Sequence, residues 1–84
     1  MPLLFFYGIE CPHCERLEKN IQAFEAETGV KVERIEVWHD KANLARLETI
    51  DKDMCGGVPF LYNETNKKFI CGEAKVSEIK KWAE

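Results

Sequence analysis

Short apolar runs alternate with segments of helical periodicity along the whole chain. Residues 2–7 form a nearly continuous apolar and aromatic run that ends at Gly8, which predicts a buried strand. Residues 12–28 have one apolar and one charged face, which predicts an amphipathic helix that Pro12 starts and Gly29 stops. The apolar positions of this helix recur at i, i+4 and i+7, at Leu17, Ile21 and Phe24.

The same pattern continues through the second half of the chain. Ile35 and Val37 alternate with charged neighbours, as in a half-buried strand, and later segments return to helical spacing or to short apolar runs. The predicted elements are a strand at residues 30–38, a helix at 41–51, a hairpin of 60–62 and 68–71 around a polar turn, and a helix from about residue 74.

The order β-α-β-α-β-β-α defines an α/β fold class. A strand–helix–strand unit followed by a helix and a hairpin predicts a four-stranded mixed sheet, parallel at the crossover and antiparallel at the hairpin. Helices must then cover both faces of the sheet. Eighty-four residues without a repeat or linker predict one domain, residues 1–84.

Composition and charge narrow the function classes. Fifteen acidic and twelve basic residues give a net charge of −3, and no long basic run is present, so the sequence predicts neither nucleic-acid nor membrane binding. No stretch approaches the roughly 20 apolar residues of a membrane span. The start Met1-Pro2 has no basic segment of an export signal. We therefore expect a cytoplasmic protein, and we expect a monomer.

Cys11-Pro12-His13-Cys14 lies where the first predicted strand gives way to the first helix. Two cysteines separated by two residues can close and reopen a small disulfide ring without rearranging the chain. The first thiol lies among unpaired N–H groups at the positive end of the helix dipole, which favours the thiolate. Because the thiolate is the species that attacks a disulfide, this motif predicts redox chemistry.

A C-x-x-C motif in a β-α-β context, followed by Gly57-Val58-Pro59-Phe60 at the head of a later strand, resembles the thioredoxin superfamily. The element order is most similar to its glutaredoxin branch, and the resemblance covers essentially the whole chain. It implies a thioredoxin-like fold with Cys11 as an exposed nucleophile and Cys14 as the buried resolving thiol. Pro59 would be the cis-proline, and the main chain of Val58 would bind an extended substrate segment.

The residues between the cysteines are candidate modulators. Pro12 and His13 resemble the dipeptide of bacterial disulfide oxidases, and a charged His13 would stabilise the Cys11 thiolate, whereas the negative charge of Glu10 would oppose it. The resemblance implies a thiol–disulfide oxidoreductase that acts on protein or small-molecule disulfides. It would need a thiol reductant but no cofactor and no metal.

Two departures from glutaredoxins bear on the reductant. Gly8 stands where those proteins usually carry a lysine that holds a glutathione carboxylate, and the acidic pair of their G-G-C-D-D-like stretch is replaced by Ala74-Lys75. Gly72 and Glu73 remain the candidates on that side of the substrate site. Glutathione is therefore doubtful as the dedicated partner, and a protein dithiol or a reductase is an equal candidate.

Cys55 and Cys71 leave alternatives open. Together with the first two cysteines they would make a Cys₄ zinc or iron–sulfur site, although such sites usually show two closely spaced pairs. A redox sensor on the same fold is a further alternative. Otherwise Cys71 is predicted to be a small strand residue, and Cys55 a loop residue or an accessory thiol.

The remaining candidate residues have ordinary interpretations. His39-Asp40 is interpreted as a polar strand exit rather than an acid–base pair. The aromatic residues outside the first strand are predicted to pack in or against the core rather than to form a binding platform; they include Phe24, Trp38, Phe69 and Trp82.

Overall fold

The computed structural model describes residues 2–52 and 54–84, which form four strands and three helices. The elements follow the predicted order β-α-β-α-β-β-α. They are β1 (Leu3–Tyr7), α1 (Pro12–Thr28), β2 (Glu33–Glu36), α2 (Lys41–Asp51), β3 (Phe60–Asn63), β4 (Phe69–Cys71) and α3 (Val76–Ala83).

The strands form one mixed sheet in the order β2-β1-β3-β4. β1 pairs in parallel with β2 and antiparallel with β3, and β3 pairs antiparallel with β4. The sheet is thus parallel at the crossover and antiparallel at the hairpin, as the element order predicted. β1 lies in the interior of the sheet, so its carboxyl end, which leads into Cys11, is held on both sides.

Each face of the sheet has its own core because alternate strand residues point to opposite sides. On one face Phe5 and Leu61 pack with α1 and α3, and on the other Phe6 and Phe60 pack with Leu47 of α2. The helices therefore cover both faces, which confirms the predicted architecture. No helix in the described ranges is long and apolar enough to cross a membrane.

The predicted helix bounds of α1 and α2 are correct, whereas β2 and α3 are shorter than predicted. Gly29 ends α1 with φ of 74°, in the left-handed region that glycine tolerates. β2 covers Glu33–Glu36 rather than 30–38 because its parallel pairing with β1 spans only those residues. α3 starts at Val76 because the extended Lys75, with φ of −79° and ψ of 160°, is its N-cap. Ala74 before it is buried, and its carbonyl accepts from Asn20 Nδ2 at 2.8 Å.

Arg34 of β2 fastens the strand to α1. Its guanidinium nitrogens lie 2.6 Å from a carboxylate oxygen of Glu18 and 2.6 Å from one of Glu25. Glu25 also accepts from the N–H of Val32 at 2.8 Å, just ahead of the strand. The hydrogen bond from Arg34 is the main reason that the pKa of Glu25 lies below its usual range. The crossover helix is therefore tied to β2 at its middle and in its last turn, away from the cysteines.

Candidate active site

Cys11 and Cys14 are joined by a disulfide at the amino end of α1. Cys11 is the N-cap residue, with φ of −90° and ψ of 110°, and Pro12 occupies the first helical position. The Cys11 sulfur accepts from the N–H of Cys14 at 3.2 Å. The helix end thus directs an N–H group at the sulfur of Cys11, an arrangement that favours a negative charge there once the bond is opened.

Both sulfurs are shielded from solvent in this bonded state. Cys11 is 4% exposed and Cys14 is 2% exposed, so the expectation of an exposed Cys11 is wrong for the disulfide form. The reason is packing: both cysteines belong to the core between the sheet, α1 and α3, and Val58 packs against that core. The burial of Cys14 agrees with its expected place inside the helix.

The segment Val58-Pro59 comes directly before β3, and its peptide bond is cis. The Val58 side chain packs against both core clusters, so it lies at the edge where the two faces of the sheet meet. The carbonyl of Pro59 accepts from the N–H of Gly72 at 3.0 Å. Within residues 2–52 and 54–84, the main chain of Val58 makes no hydrogen bond.

Glu73 connects the turn after β4 to the helix that carries the cysteines. Arg16 donates to both carboxylate oxygens through Nε and Nη2 at 3.0–3.1 Å, and His13 Nδ1 lies 2.6 Å from Oε2. Because a carboxylate only accepts, Nδ1 carries the hydrogen of this contact, and the 2.8 Å approach of Arg16 to the same nitrogen is not a second hydrogen bond. Arg16 and then His13 hold the pKa of Glu73 at about 2.

Glu10, next to Cys11, pairs with His39 through its carboxylate. The two side chains are 2.7 Å apart and both are more than half exposed. The hydrogen bond from His39 lowers the pKa of Glu10, and the hydrogen bond to Glu10 raises the pKa of His39. This pairing offsets the unfavourable charge that the sequence places beside the thiolate. His39 is thus a partner of the cysteine loop, while Asp40 caps α2 by accepting from Asn43 N–H at 3.0 Å.

Trp38 covers the position where glutaredoxins carry a lysine. A Cβ at Gly8 would collide with the indole ring, so only glycine fits beneath it. The predicted packing role is confirmed for Phe24 and Trp82, which are buried, and for Phe69, whose ring centroid lies 6.0 Å from that of Phe60 in the core. Trp38 is 51% exposed and lies over Gly8 outside the core clusters. A cavity of about 170 Å³ adjoins this region and reaches Cys14 and Ile9. The sequence did not place Trp38 in this region, because its contact with Gly8 joins two segments that only the folded chain brings together.

Cys55 and Cys71 form a second disulfide, with Cα atoms 5.6 Å apart. Cys71 is therefore not simply a small strand residue, and Cys55 is more than a loop residue with a free thiol. Their approach could not be read from the sequence because it depends on how the loop before β3 folds against β4. Among the described residues, no group of three or more histidine, cysteine, aspartate or glutamate side chains converges as a metal site.

Comparisons with solved structures agree on the fold. A mutant of the thioredoxin-like protein BC3987 superposes with a TM-score of 0.68 at 16% identity, covering 98% of this chain and 99% of that one. StoA from Bacillus subtilis has a TM-score of 0.64 at 20% identity, covering 98% and 81% of the two chains. A glutaredoxin (grx-1) from Archaeoglobus fulgidus has a TM-score of 0.64 at 20% identity, covering 96% and 84%.

No protein-family model matches the chain, and neither does any curated protein sequence. The structural likenesses nevertheless extend over nearly the whole chain, and they show a thioredoxin-like fold. This result confirms the fold that the sequence resemblance implied. The Cys11–Cys14 disulfide stands at the head of α1 in that fold.

Proposed function

We propose that this protein is a thiol–disulfide oxidoreductase whose working pair is Cys11 and Cys14. The observation that carries the proposal is the disulfide at the amino end of α1, where the Cys14 N–H points at the Cys11 sulfur. The neighbouring Val58-Pro59 segment supplies a surface that suits an extended substrate. A dithiol pair needs no further cofactor to exchange two electrons with a disulfide.

The reaction follows from the unequal positions of the two thiols. The Cys11 thiolate attacks one sulfur of a substrate disulfide, which forms a mixed disulfide and releases the first substrate thiolate. The Cys14 thiolate then attacks the Cys11 sulfur and releases the second substrate thiolate. The substrate is reduced by two electrons, the Cys11–Cys14 bond forms again, and two protons pass to the released thiolates.

The main chain of Val58 supports a strand-addition mode of substrate binding. An extended segment that pairs with its N–H and C=O groups would gain main-chain hydrogen bonds without a demand on side-chain sequence. The exposed Trp38, which lies over Gly8, and the exposed Ile9 add apolar surface at positions 8 and 9, close to the cysteines in sequence. We infer a disulfide-containing protein, or a small molecule with an apolar part, as the substrate class.

A dithiol is the proposed electron donor, in preference to glutathione. Trp38 occupies the space above Gly8, where a lysine would otherwise contact a glutathione carboxylate. Glu73 is already held by Arg16 and His13, so its carboxylate is not free to receive the glutamyl amine. A protein dithiol or a reductase avoids both requirements. The cytoplasmic location and the monomeric state stay predictions from the sequence.

Reduction of insulin in the presence of dithiothreitol tests the proposal. The wild type should accelerate precipitation of the insulin chains, and Cys11→Ser should lose this acceleration. The matched variant Cys14→Ser keeps the nucleophile but not the resolving thiol, so it should accumulate a mixed disulfide visible by mass spectrometry. If Cys11→Ser is as active as the wild type, the assignment is wrong. Reversible oxidation without turnover would instead indicate a redox sensor.

A further inference from the structure

The second disulfide lies on the opposite face of the sheet from the first. Cys71 of β4 is paired with Phe60 of β3, whose side chain belongs to the core under α2, and Cys55 packs against that same core. Cys11 and Cys14 belong to the core under α1 and α3. The Cys55–Cys71 bond therefore joins the loop before β3 to the edge strand of the sheet, independently of the first bond.

Each cysteine of this bond is followed, within three residues, by a residue of the candidate active site. Cys55 is followed by two glycines and then by Val58, whose main chain makes no hydrogen bond to the described residues. Cys71 is followed by Gly72, which donates to the Pro59 carbonyl at 3.0 Å. The next residue, Glu73, contacts His13 between the active-site cysteines.

Among the described residues, the loop has a non-covalent anchor at each end: the N–H of Gly72 donates to the Pro59 carbonyl at 3.0 Å at one end, and Asp51 holds the other. The Asp51 carboxylate at the end of α2 accepts from the N–H groups of Cys55 at 2.6 Å and Gly56 at 2.9 Å. Toward β4, the contact of the Cys71 sulfur with the Met54 carbonyl is long, at 3.9 Å. Gly56 and Gly57 give the following backbone more freedom than other residues would. Opening the bond would leave the loop tied to α2 through Cys55 and Gly56 and to the turn after β4 through Pro59, and it would give the backbone between these anchors more freedom.

The second disulfide is also the more accessible of the two. Cys71 is exposed and Cys55 is half-buried, whereas Cys11 and Cys14 are both buried. Exchange requires that a thiolate reach a sulfur, and exposed disulfides are typically the labile ones. A dissolved dithiol would therefore reach Cys71 more readily than either active-site cysteine.

We propose that Cys55–Cys71 is a second thiol–disulfide exchange site, which a dithiol reduces and whose state sets how well the Val58 loop binds substrate. One thiolate of the dithiol attacks the Cys71 sulfur, forms a mixed disulfide and releases the Cys55 thiolate. The second thiolate of the dithiol displaces Cys71, so the dithiol leaves as a disulfide and the protein gains two electrons and two protons. The effect on substrate binding rests on the proposed function.

Whether substrate affinity rises or falls follows from the conformational entropy that the loop before β3 loses when substrate binds. With the bond closed, the loop is held in place before substrate arrives; with the bond open, binding must also order the loop. An ordering cost of the size usual for one immobilised side chain corresponds to a roughly 2- to 10-fold weaker substrate interaction. The oxidised second site is thus the form that binds substrate well, and reduction lowers its affinity.

The exchange itself is tested without any activity assay. In Cys11→Ser/Cys14→Ser only the second pair of cysteines remains. The protein is equilibrated at a series of ratios of reduced to oxidised dithiothreitol, and its free thiols are then trapped with a maleimide and counted, so the count reports that pair alone. We expect two thiols to appear together while circular dichroism shows an unchanged fold. Amide exchange of Gly56, Gly57 and Val58 should become faster on reduction. A bond that opens only in denaturant, or a loop whose exchange does not change, would overturn the proposal.

The link to substrate is tested separately by insulin binding without reductant, so that the second bond stays closed where it is present. Cys11→Ser/Cys14→Ser keeps that bond, and the variant with all four cysteines replaced by serine lacks it; the dissociation constant for insulin should be roughly 2- to 10-fold higher in the second variant. Equal dissociation constants would contradict the link. If the wild type reduces no disulfide while the trapped thiols appear as expected, the proposed function fails and the second exchange site stands.

Discussion

At the scale of single residues, the surroundings of Cys11 are set by charges that are already paired. Glu10 adjoins the cysteine in sequence, yet its carboxylate faces His39 at 2.7 Å. His13 lies within the motif, yet it contacts Glu73 at 2.6 Å. The local potential at the Cys11 sulfur is therefore governed less by these side chains than by the helix end and the Cys14 N–H.

Replacing Glu10 by glutamine should move the pKa of His39 back toward its ordinary value of about 6.5. The carboxylate of Glu10 is the main cause of the raised value, with a smaller contribution from Glu36. Since the folded-state pKa of His39 is raised, the pairing stabilises the fold fully below the unfolded pKa, and this contribution is lost as pH rises through the folded value.

Proton NMR of the imidazole resonances gives this pKa directly. Glu15→Gln, which removes an acid on the first turn of α1, serves as the matched control and should leave His39 unchanged. An identical His39 titration in Glu10→Gln and the wild type would contradict the pairing.

At the scale of elements, the crossover helix is tied to β2 at its middle and in its last turn, away from the cysteines at its amino end. Arg34 contacts Glu18 and Glu25 from β2, and these groups are largely shielded from solvent. A second ion pair joins Arg46 of α2 to Glu33 at the start of β2, with a nitrogen–oxygen distance of 3.4 Å, and it is open to water. The two pairs therefore differ in burial, although both connect a helix to the same strand.

Arg34→Met should lower the free energy of unfolding by about 2 kcal/mol, because charge-assisted hydrogen bonds of shielded groups are lost. The control Arg46→Met should cost no more than about 0.5 kcal/mol, as exposed pairs usually do. Urea unfolding at neutral pH measures both, and equal losses would contradict the argument.

The pH dependence of the Arg34 pair has a definite sign. The pKa of Glu25 is lowered in the folded state, so its stabilisation is present above the unfolded value of about 4.3 and is lost as pH falls through the lower folded value. The difference between the wild type and Arg34→Met should therefore narrow in acid.

What the sequence could predict of these elements depended on local signals. The two ends of α1 could be predicted because a proline that starts a helix and a glycine that ends one act on the few residues around them, here Pro12 and Gly29. The length of β2 was overestimated, since its ends depend on where β1 offers a pairing partner. The Cys55–Cys71 bond and the contact of Trp38 with Gly8 were beyond reach because each joins segments that only the folded chain brings together.

At the scale of the whole molecule, the two disulfides close loops of unequal length. Cys11 and Cys14 are three residues apart, and Cys55 and Cys71 are sixteen apart. A longer closed loop removes more conformational entropy from the unfolded chain. The second bond should therefore support the fold more than the first.

Removing the second bond in Cys55→Ser/Cys71→Ser should cost about 3 kcal/mol of unfolding free energy, and removing the first should cost about 2 kcal/mol, by the loop-closure relation. Urea unfolding of both variants and the wild type, all without reductant, compares the losses. A larger loss in Cys11→Ser/Cys14→Ser would contradict this ranking.

The indole over Gly8 also gives the molecule an optical property. The chain has two tryptophans, of which Trp82 is buried and donates to the Lys68 carbonyl at 3.2 Å. Trp38 is half exposed and lies over Gly8, so a dissolved quencher can contact its indole ring and lower its fluorescence. The buried ring of Trp82 is protected from the quencher. A substrate bound over the indole ring would protect Trp38 from the quencher. The decrease in quenching thus measures the fraction of protein with bound substrate, without any attached label.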